Sequence, residues 1–160
     1  NSMPLIYKPY QATLANKEGQ KLYYPRLVKF GKMVNTQKMA ELIAEKASLT
    51  AGDVHNVIRN LMENALKYSD AGVRIEVSLS IVNERLRVSV KDNGWGIAPC
   101  HQRKLFTQFY RVPRSEEQQQ KGYGIGLAQS KYIINEHGGE IMVKSAEGEG
   151  STFTFIIPCR

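Results

Sequence analysis

Two glycine clusters constrain this chain more than anything else in it: Asp92-Asn93-Gly94-Trp95-Gly96-Ile97 and Gly122-Tyr123-Gly124-Ile125-Gly126-Leu127. The first follows an alternating apolar run, Leu86, Val88, Val90, and so sits where a strand gives way to a loop. Asp92 offers only hydrogen-bond acceptors at that point, which suits an exocyclic amine such as that of adenine. Its competing role is to cap the Asn-Gly turn. Gly94 and Gly96 permit backbone angles and close approaches that a Cβ forbids. The second cluster opens a helical run, and the free N–H groups of a helix N-terminus attract phosphate. Glycines alone mark any turn.

Two further stretches complete the pattern. Asn60-Leu61-Met62-Glu63-Asn64-Ala65-Leu66-Lys67-Tyr68 carries two Asn at i and i+4, which project from one face of a helix. Leu105-Phe106-Thr107-Gln108-Phe109-Tyr110-Arg111 precedes a polar stretch from Ser115 to Lys121. In this order and spacing, the chain from about Asn60 to Pro158 resembles the ATP-binding catalytic domain of bacterial sensor histidine kinases. That family shares the Bergerat nucleotide-binding fold with gyrase, Hsp90 and MutL.

The resemblance implies roles residue by residue. Asn64 would be the side-chain ligand of a Mg²⁺ ion that sits on the triphosphate, a cation that favours oxygen donors and keeps several waters. Asn60 would assist it, Lys67 would meet phosphate, and Tyr68 would lie against the base. Asn is a poor helix former, which weighs against reading Asn60 and Asn64 as merely solvated helix positions. Glu63 stands where a carboxylate activates water in the ATP-hydrolysing cousins, with a solvated role beside it. Asp92 would accept from the adenine amine, supported by Gly94, Gly96 and Ile97. Arg111 would reach phosphate or remain solvated. The backbone amides of Gly122, Gly124 and Gly126, with Leu127 after them, would wrap the phosphates. Thr152 matches a position near the adenine, or else faces solvent. Phe106, Phe109 and Tyr110 are assigned to anchoring a lid over about Pro113–Lys121, a segment that orders on nucleotide. Trp95 has no required role; it either stacks on the lid or packs at the surface.

After the lid, a helix from Leu127 to His137 ends at Gly138-Gly139, a C-cap signal. Ile141, Val143, Phe153, Phe155 and Ile157 form two closing strands. With Val73, Ile75, Val77, Leu79, Ile81 and Leu86–Val90 they predict a mixed sheet backed by helices, an α/β (α+β) sandwich.

The front reads differently. Residues 4–10 and 21–30 are expected strands around the turn-like Ala15-Asn16-Lys17-Glu18-Gly19, with Pro25 making the second an edge strand or splitting it. A helix is expected over about Thr36–Lys46, its apolar positions Met39, Leu42, Ile43 and Ala47. Thr50-Ala51-Gly52-Asp53 has the form of a capping box for a second helix with Val54, Val57, Ile58, Leu61 and Ala65 on its apolar face. Leu5-Ile6-Tyr7-Lys8, Lys21-Leu22-Tyr23-Tyr24-Pro25, Met39 to Thr50 and Asp53 to Leu61 resemble the N-terminal half of the HU-like DNA-binding proteins of Bacteroidetes. The expectation is a chimera: an HU-like segment over 1–62, truncated before its DNA-embracing arms, sharing its last helix with a kinase-like domain over 53–160. Nine of the 22 Lys/Arg but four of the 15 Asp/Glu fall in residues 1–62, so the front holds +5 of the net +7. Such a surface implies at most weak, non-specific DNA binding that collapses with salt. Pairing as a homodimer follows only from the HU analogy.

At 42% hydrophobic residues and with no apolar run near 18, the chain predicts no membrane span, no signal-peptide pattern opens it, and a cytoplasmic location is expected. Cys100 and Cys159 lack metal-ligand spacing and read as reduced thiols. His55, His101 and His137 all lack a phosphoacceptor context. The expected function is therefore an ATP (or ADP) and Mg²⁺ site that donates phosphoryl to a histidine in a helical domain outside this chain. A DNA-binding protein and an inert chimera are the alternatives.

Overall fold

The computed structural model of the chain describes residues 4–15, 21–29, 32–35, 41, 43–45, 50–115, 118 and 120–159. Helix α1, Ala51–Lys67, starts where the capping box placed it. The Thr50 hydroxyl accepts from the Asp53 N–H at 3.1 Å and donates to Asp53 Oδ2 at 2.8 Å. Such a cap is worth about 1 kcal/mol. Its apolar stripe is fully inward: Val54, Val57, Ile58, Leu61, Met62 and Ala65 are all buried. Each such aliphatic side chain contributes about 1.5–3 kcal/mol when removed from water.

The stripe lies on a seven-stranded sheet of order β3-β2-β1-β4-β5-β7-β6. The strands are β1 Pro4–Ala15, β2 Lys21–Lys29, β3 Lys32–Asn35, β4 Ile75–Val82, β5 Arg85–Asp92, β6 Glu140–Ala146 and β7 Gly150–Pro158. Ile75 and Val77 of β4, Leu86, Val88 and Val90 of β5, and Phe153, Phe155 and Ile157 of β7 supply the sheet's half of the core. A short helix α2, Pro99–Gln102, follows the first glycine cluster, and helix α3, Gly126–Glu136, follows the second. The two long helices run antiparallel. Asp53 Oδ2 lies 3.7 Å from His137 Nε2 at one end, and Asn60 reaches Gly126 at the other. Helix α3 closes in a Schellman motif, with Gly139 N–H donating to Ile134 O and Gly138 N–H to Asn135 O, both at 3.0 Å.

The sandwich is the expected one, with differences. Every ladder among the described residues is antiparallel, where a mixed sheet was predicted. The β4–β5 and β6–β7 connections are hairpins of two and three residues, too short for the crossover that a parallel pair needs. Pro25 neither splits β2 nor leaves it at the sheet's edge; it pairs opposite Pro9. The ladder from β3 covers only Arg26–Lys29 and that from β4 only Pro4–Tyr7. Both prolines thus fall where their strands have no second neighbour, and a missing N–H costs least there. Ile81 is 58% exposed, because β4 outruns the helical layer toward its turn. Of the helix expected over 36–46, residues 41 and 43–45 are helical and Ile43 is fully buried; Thr36, Met39, Leu42, Lys46 and Ala47 lie outside the described residues. Leu5–Lys8 and Lys21–Pro25 fall in β1 and β2, whereas the turn residues 16–19 are outside.

Candidate functional site

The period of β5 builds the site. Leu86, Val88 and Val90 point into the core, so Asp92, two residues on, inherits the same face at the strand's open end. It is buried. Its Oδ1 accepts from Gly94 N–H at 2.8 Å and from Ser151 N–H at 3.1 Å. The turn-capping role thus falls to Oδ1, and Oδ2 is the oxygen that a ligand donor could reach. Burial pushes this carboxyl above its ordinary value, and the two backbone N–H groups pull partly the other way.

The loop beyond Asp92 is fixed from several sides. Gly96, at φ +69°, abuts the Ala146 carbonyl so closely that a Cβ would collide with it. Ile97 N–H donates to Ser145 Oγ at 2.9 Å, and Gln102 Nε2 bridges Ile97 O and Ser145 O at 2.8 Å each. Trp95 N–H donates to Tyr68 O at 3.0 Å, its indole N–H to Asp70 Oδ1 at 2.8 Å, and its carbonyl accepts from Gly148 N–H at 2.8 Å. The Tyr68 and Trp95 rings meet edge-on at 6.3 Å.

Across the cavity, Asn60, Glu63, Asn64 and Lys67 face inward from one side of α1. The Asn60 amide donates to Gly126 O and Ser130 Oγ, both at 3.2 Å, which ties α1 to the start of α3. Glu63 is exposed, with Arg59 Nε at 3.8 Å. Lys67 Nζ sits against Gly122 and 5.4 Å from the Tyr68 ring centroid. The aromatic stretch and the second glycine cluster are pinned to each other: Phe109 N–H donates to Gly124 O at 2.9 Å, and Gly124, at φ +70°, has no room for a Cβ beside the Phe109–Tyr110 backbone. Phe106 packs edge-on against Phe153 at 6.5 Å, while Phe109 is 73% exposed. Arg111 Nη2 donates to Gln120 O.

One cavity of about 320 Å³ collects these groups. Asn60, Glu63, Asn64, Lys67, Tyr68, Asp92, Gly96, Ile97, Arg111, Gly122, Gly124, Gly126 and Leu127 all line it. Gly94 stands just behind the wall, packed against the Tyr68 carbonyl and Ser69 and holding Asp92 by its N–H. Thr152 is on the other face of β7; its neighbour Ser151 lines the cavity instead. The signal for Ser151 was available in the expected core residue Phe153, because a strand of period two puts 151 and not 152 on Phe153's face. Arg114 also lines the cavity and carried no sequence signal of its own.

The donor set fits an adenine nucleotide. A buried acceptor, glycines that bring the backbone close, and the cationic side chains of Lys67 and Arg111 share its wall. Among the described residues no cluster of three His, Cys, Asp or Glu exists, so a divalent cation here would rest on the Asn64 amide oxygen together with nucleotide oxygens, a set that suits Mg²⁺. No helix among the described residues is long and apolar enough to cross a membrane.

Residues 50–160 match the family described as "Histidine kinase-, DNA gyrase B-, and HSP90-like ATPase". The chain is 35% identical over 158 residues to the adaptive-response sensory kinase SasA of Prochlorococcus marinus, an alignment covering 96% of this chain and 40% of that one. Its structure is similar to that of the mycobacterial sensor histidine kinase MprB, with TM-score 0.64 and 27% identity over 71% of this chain and 77% of that one. It is also similar to full-length ShkA in complex with AMPPNP, with TM-score 0.61 and 26% identity over 78% and 29% of the two chains. The chain spans less than half the length of the curated relatives it matches.

Proposed function

The chain belongs to the histidine kinase-, DNA gyrase B- and HSP90-like ATPase family, and on that premise we propose that it is the ATP- and Mg²⁺-binding catalytic domain of a two-component sensor histidine kinase. The phosphoryl group would pass to a histidine of a helical phosphoacceptor domain elsewhere. The observation that carries the reading is Asp92: a buried carboxylate with one oxygen tied to the backbone and the other left for a ligand. Bound nucleotide and its cation would supply the transferable group and most of the charge neutralisation. This chain's own part is positioning and electrostatics, which dominate phosphoryl transfer. Asp92 orients the base, and Lys67 and Arg111 offer positive charge to the phosphates. Asn60 holds the start of α3, where Gly122, Gly124 and Gly126 present backbone amides. Asn64 offers an amide oxygen to the cation. Glu63, exposed and beside Arg59, supports the transfer rather than activating water.

The residues ahead of 50 are read as an appended HU-like segment acting as scaffold, with domains at 1–62 and 53–160 and a cytoplasmic location. The family match begins at residue 50, while the SasA alignment continues through the residues ahead of it. Duplex DNA is expected to bind at no better than about 10⁻⁴–10⁻⁶ M at physiological salt. The decisive experiment is a thermal melt with and without Mg²⁺-ADP, followed by incubation with labelled ATP. The melt should rise with nucleotide, and the chain alone should gain no acid-labile phosphate. A melt indifferent to Mg²⁺-ADP would refute the nucleotide site. Label on His55, His101 or His137 would place the acceptor within this chain.

A further inference from the structure

Arg114 belongs to none of the roles assigned so far, and its surroundings are unusual. Its Nη2 donates to the Gly96 carbonyl at 2.6 Å, in the loop that forms the adenine side of the cavity. Its guanidinium lies 5.4 Å from the Trp95 ring. Its Nε is buried with no hydrogen-bond partner among the described residues. It stands in the wall shared by the nucleotide cavity and a neighbouring one lined by Tyr68, Pro113, Gln118 and Gln120.

Trp95 is already held without Arg114. Backbone bonds to Tyr68 and Gly148 and an indole bond to Asp70 fix it on three sides. Onto this seat the guanidinium brings one N–H to the Gly96 carbonyl and a delocalised cation 5.4 Å from the indole ring, a combination that the compact Lys ammonium reproduces poorly. Resting on the nucleotide-binding reading above, we propose that Arg114 is a positioning residue of that site, clamping the Val112–Ser115 segment onto Trp95 and Gly96 and so setting how long an adenine nucleotide stays bound. Among the described residues nothing accepts from Nε, which leaves the clamp with a donor to spare. A ligand oxygen that reached this donor would remove the cost of leaving it unpaired, so occupancy and clamping favour each other.

Trp95 is the sole tryptophan of the chain, so its emission reports on the clamp with no nucleotide present. In the full chain, Arg114→Ala should shift Trp95 emission to the red and raise its quenching by acrylamide. Release of a ribose-labelled fluorescent ADP in Mg²⁺ should quicken about tenfold, the order of one charge-assisted hydrogen bond, with association little changed. Arg114→Lys should resemble Ala, because a compact ammonium cannot hold the Gly96 carbonyl and keep a delocalised cation beside Trp95 at the same time. A Lys variant that releases ADP at the wild-type rate would reduce Arg114 to its charge and overturn the clamp. So would an Ala variant with unaltered Trp95 emission and unaltered release. If the wild-type chain takes up no labelled ADP, the nucleotide reading fails and takes the residence-time role with it. The Trp95 signal would then show separately whether the contact itself exists.

Discussion

Two parts of the cavity wall are built on opposite plans. The Asp92 part is assembled before any ligand arrives: a buried carboxylate, two backbone N–H bonds onto one oxygen, and a loop held by Ser145, Gln102 and the Ala146 carbonyl. The Lys67–Arg111 part consists of long side chains and glycine backbone, with Glu63 and Arg111 exposed. A preorganised site loses little on binding and tolerates little change, whereas mobile charges act over distance and are screened by salt. Recognition of the base should therefore be all-or-none, and recognition of the phosphates graded.

The largest effect should come from Asp92→Ala, which removes the acceptor and orphans two buried N–H groups. Calorimetry with ADP should show affinity falling by about 100-fold, on the order of 3 kcal/mol. Retained affinity would break the contrast outright. Next, Asn64→Ala should weaken ADP binding about tenfold in Mg²⁺ and leave the affinity in excess EDTA unchanged; equal losses in both media would remove Asn64 from the cation. A smaller, salt-sensitive loss is expected of Lys67→Ala: a few-fold at low ionic strength, vanishing near 1 M salt where the screening length is about 3 Å. A loss that ignores salt would mean that this part is also preorganised.

The mildest test concerns stability. Because burial raises the Asp92 pKa, the folded state holds its proton more firmly than the unfolded chain does. The group's contribution is therefore most favourable below the ordinary carboxylate range and is lost as pH rises through the raised value. Asp92→Asn cannot ionise, yet keeps an oxygen for Gly94 and Ser151. Its nucleotide-free melt should exceed wild type at neutral pH and match it in acid. Nucleotide binding should still be lost, because the amide presents a donor to a donor. A variant no more stable at neutral pH would mean that burial costs this carboxylate little.

What was legible in the chain follows the same division. Periodic features could be read directly. The stripe on α1 and the Thr50 cap stand where their spacing put them, and Asp92 follows from counting by two along β5. Strand arithmetic also puts Ser151, rather than Thr152, on the cavity's side of β7. Features that depend on two distant segments meeting had no local trace. Arg114 reads as one more polar residue until the Val112–Ser115 backbone is laid against Gly96. The position of Pro25 became intelligible only with the lengths of the neighbouring ladders. The antiparallel sheet lay between these cases, since the short hairpins imply it but the alternation of apolar residues does not.

The pair of hydrogen bonds that Asp92 accepts from Gly94 and Ser151 has a consequence for selection by inhibitors. A compound that gives its hydrogen bond to the free oxygen of this carboxylate would be hard to escape by mutation at that position. Alanine would leave the loop and β7 unstapled at their junction, and asparagine would keep the staple but turn the adenine away with the drug. Resistance would have to arise around the rim, from residues such as Arg114 or Tyr123 that touch neither backbone N–H. A compound confined to the Asp92 part, touching only Ile97, Ser151 and Phe153 beside it, would leave such variants little to act on.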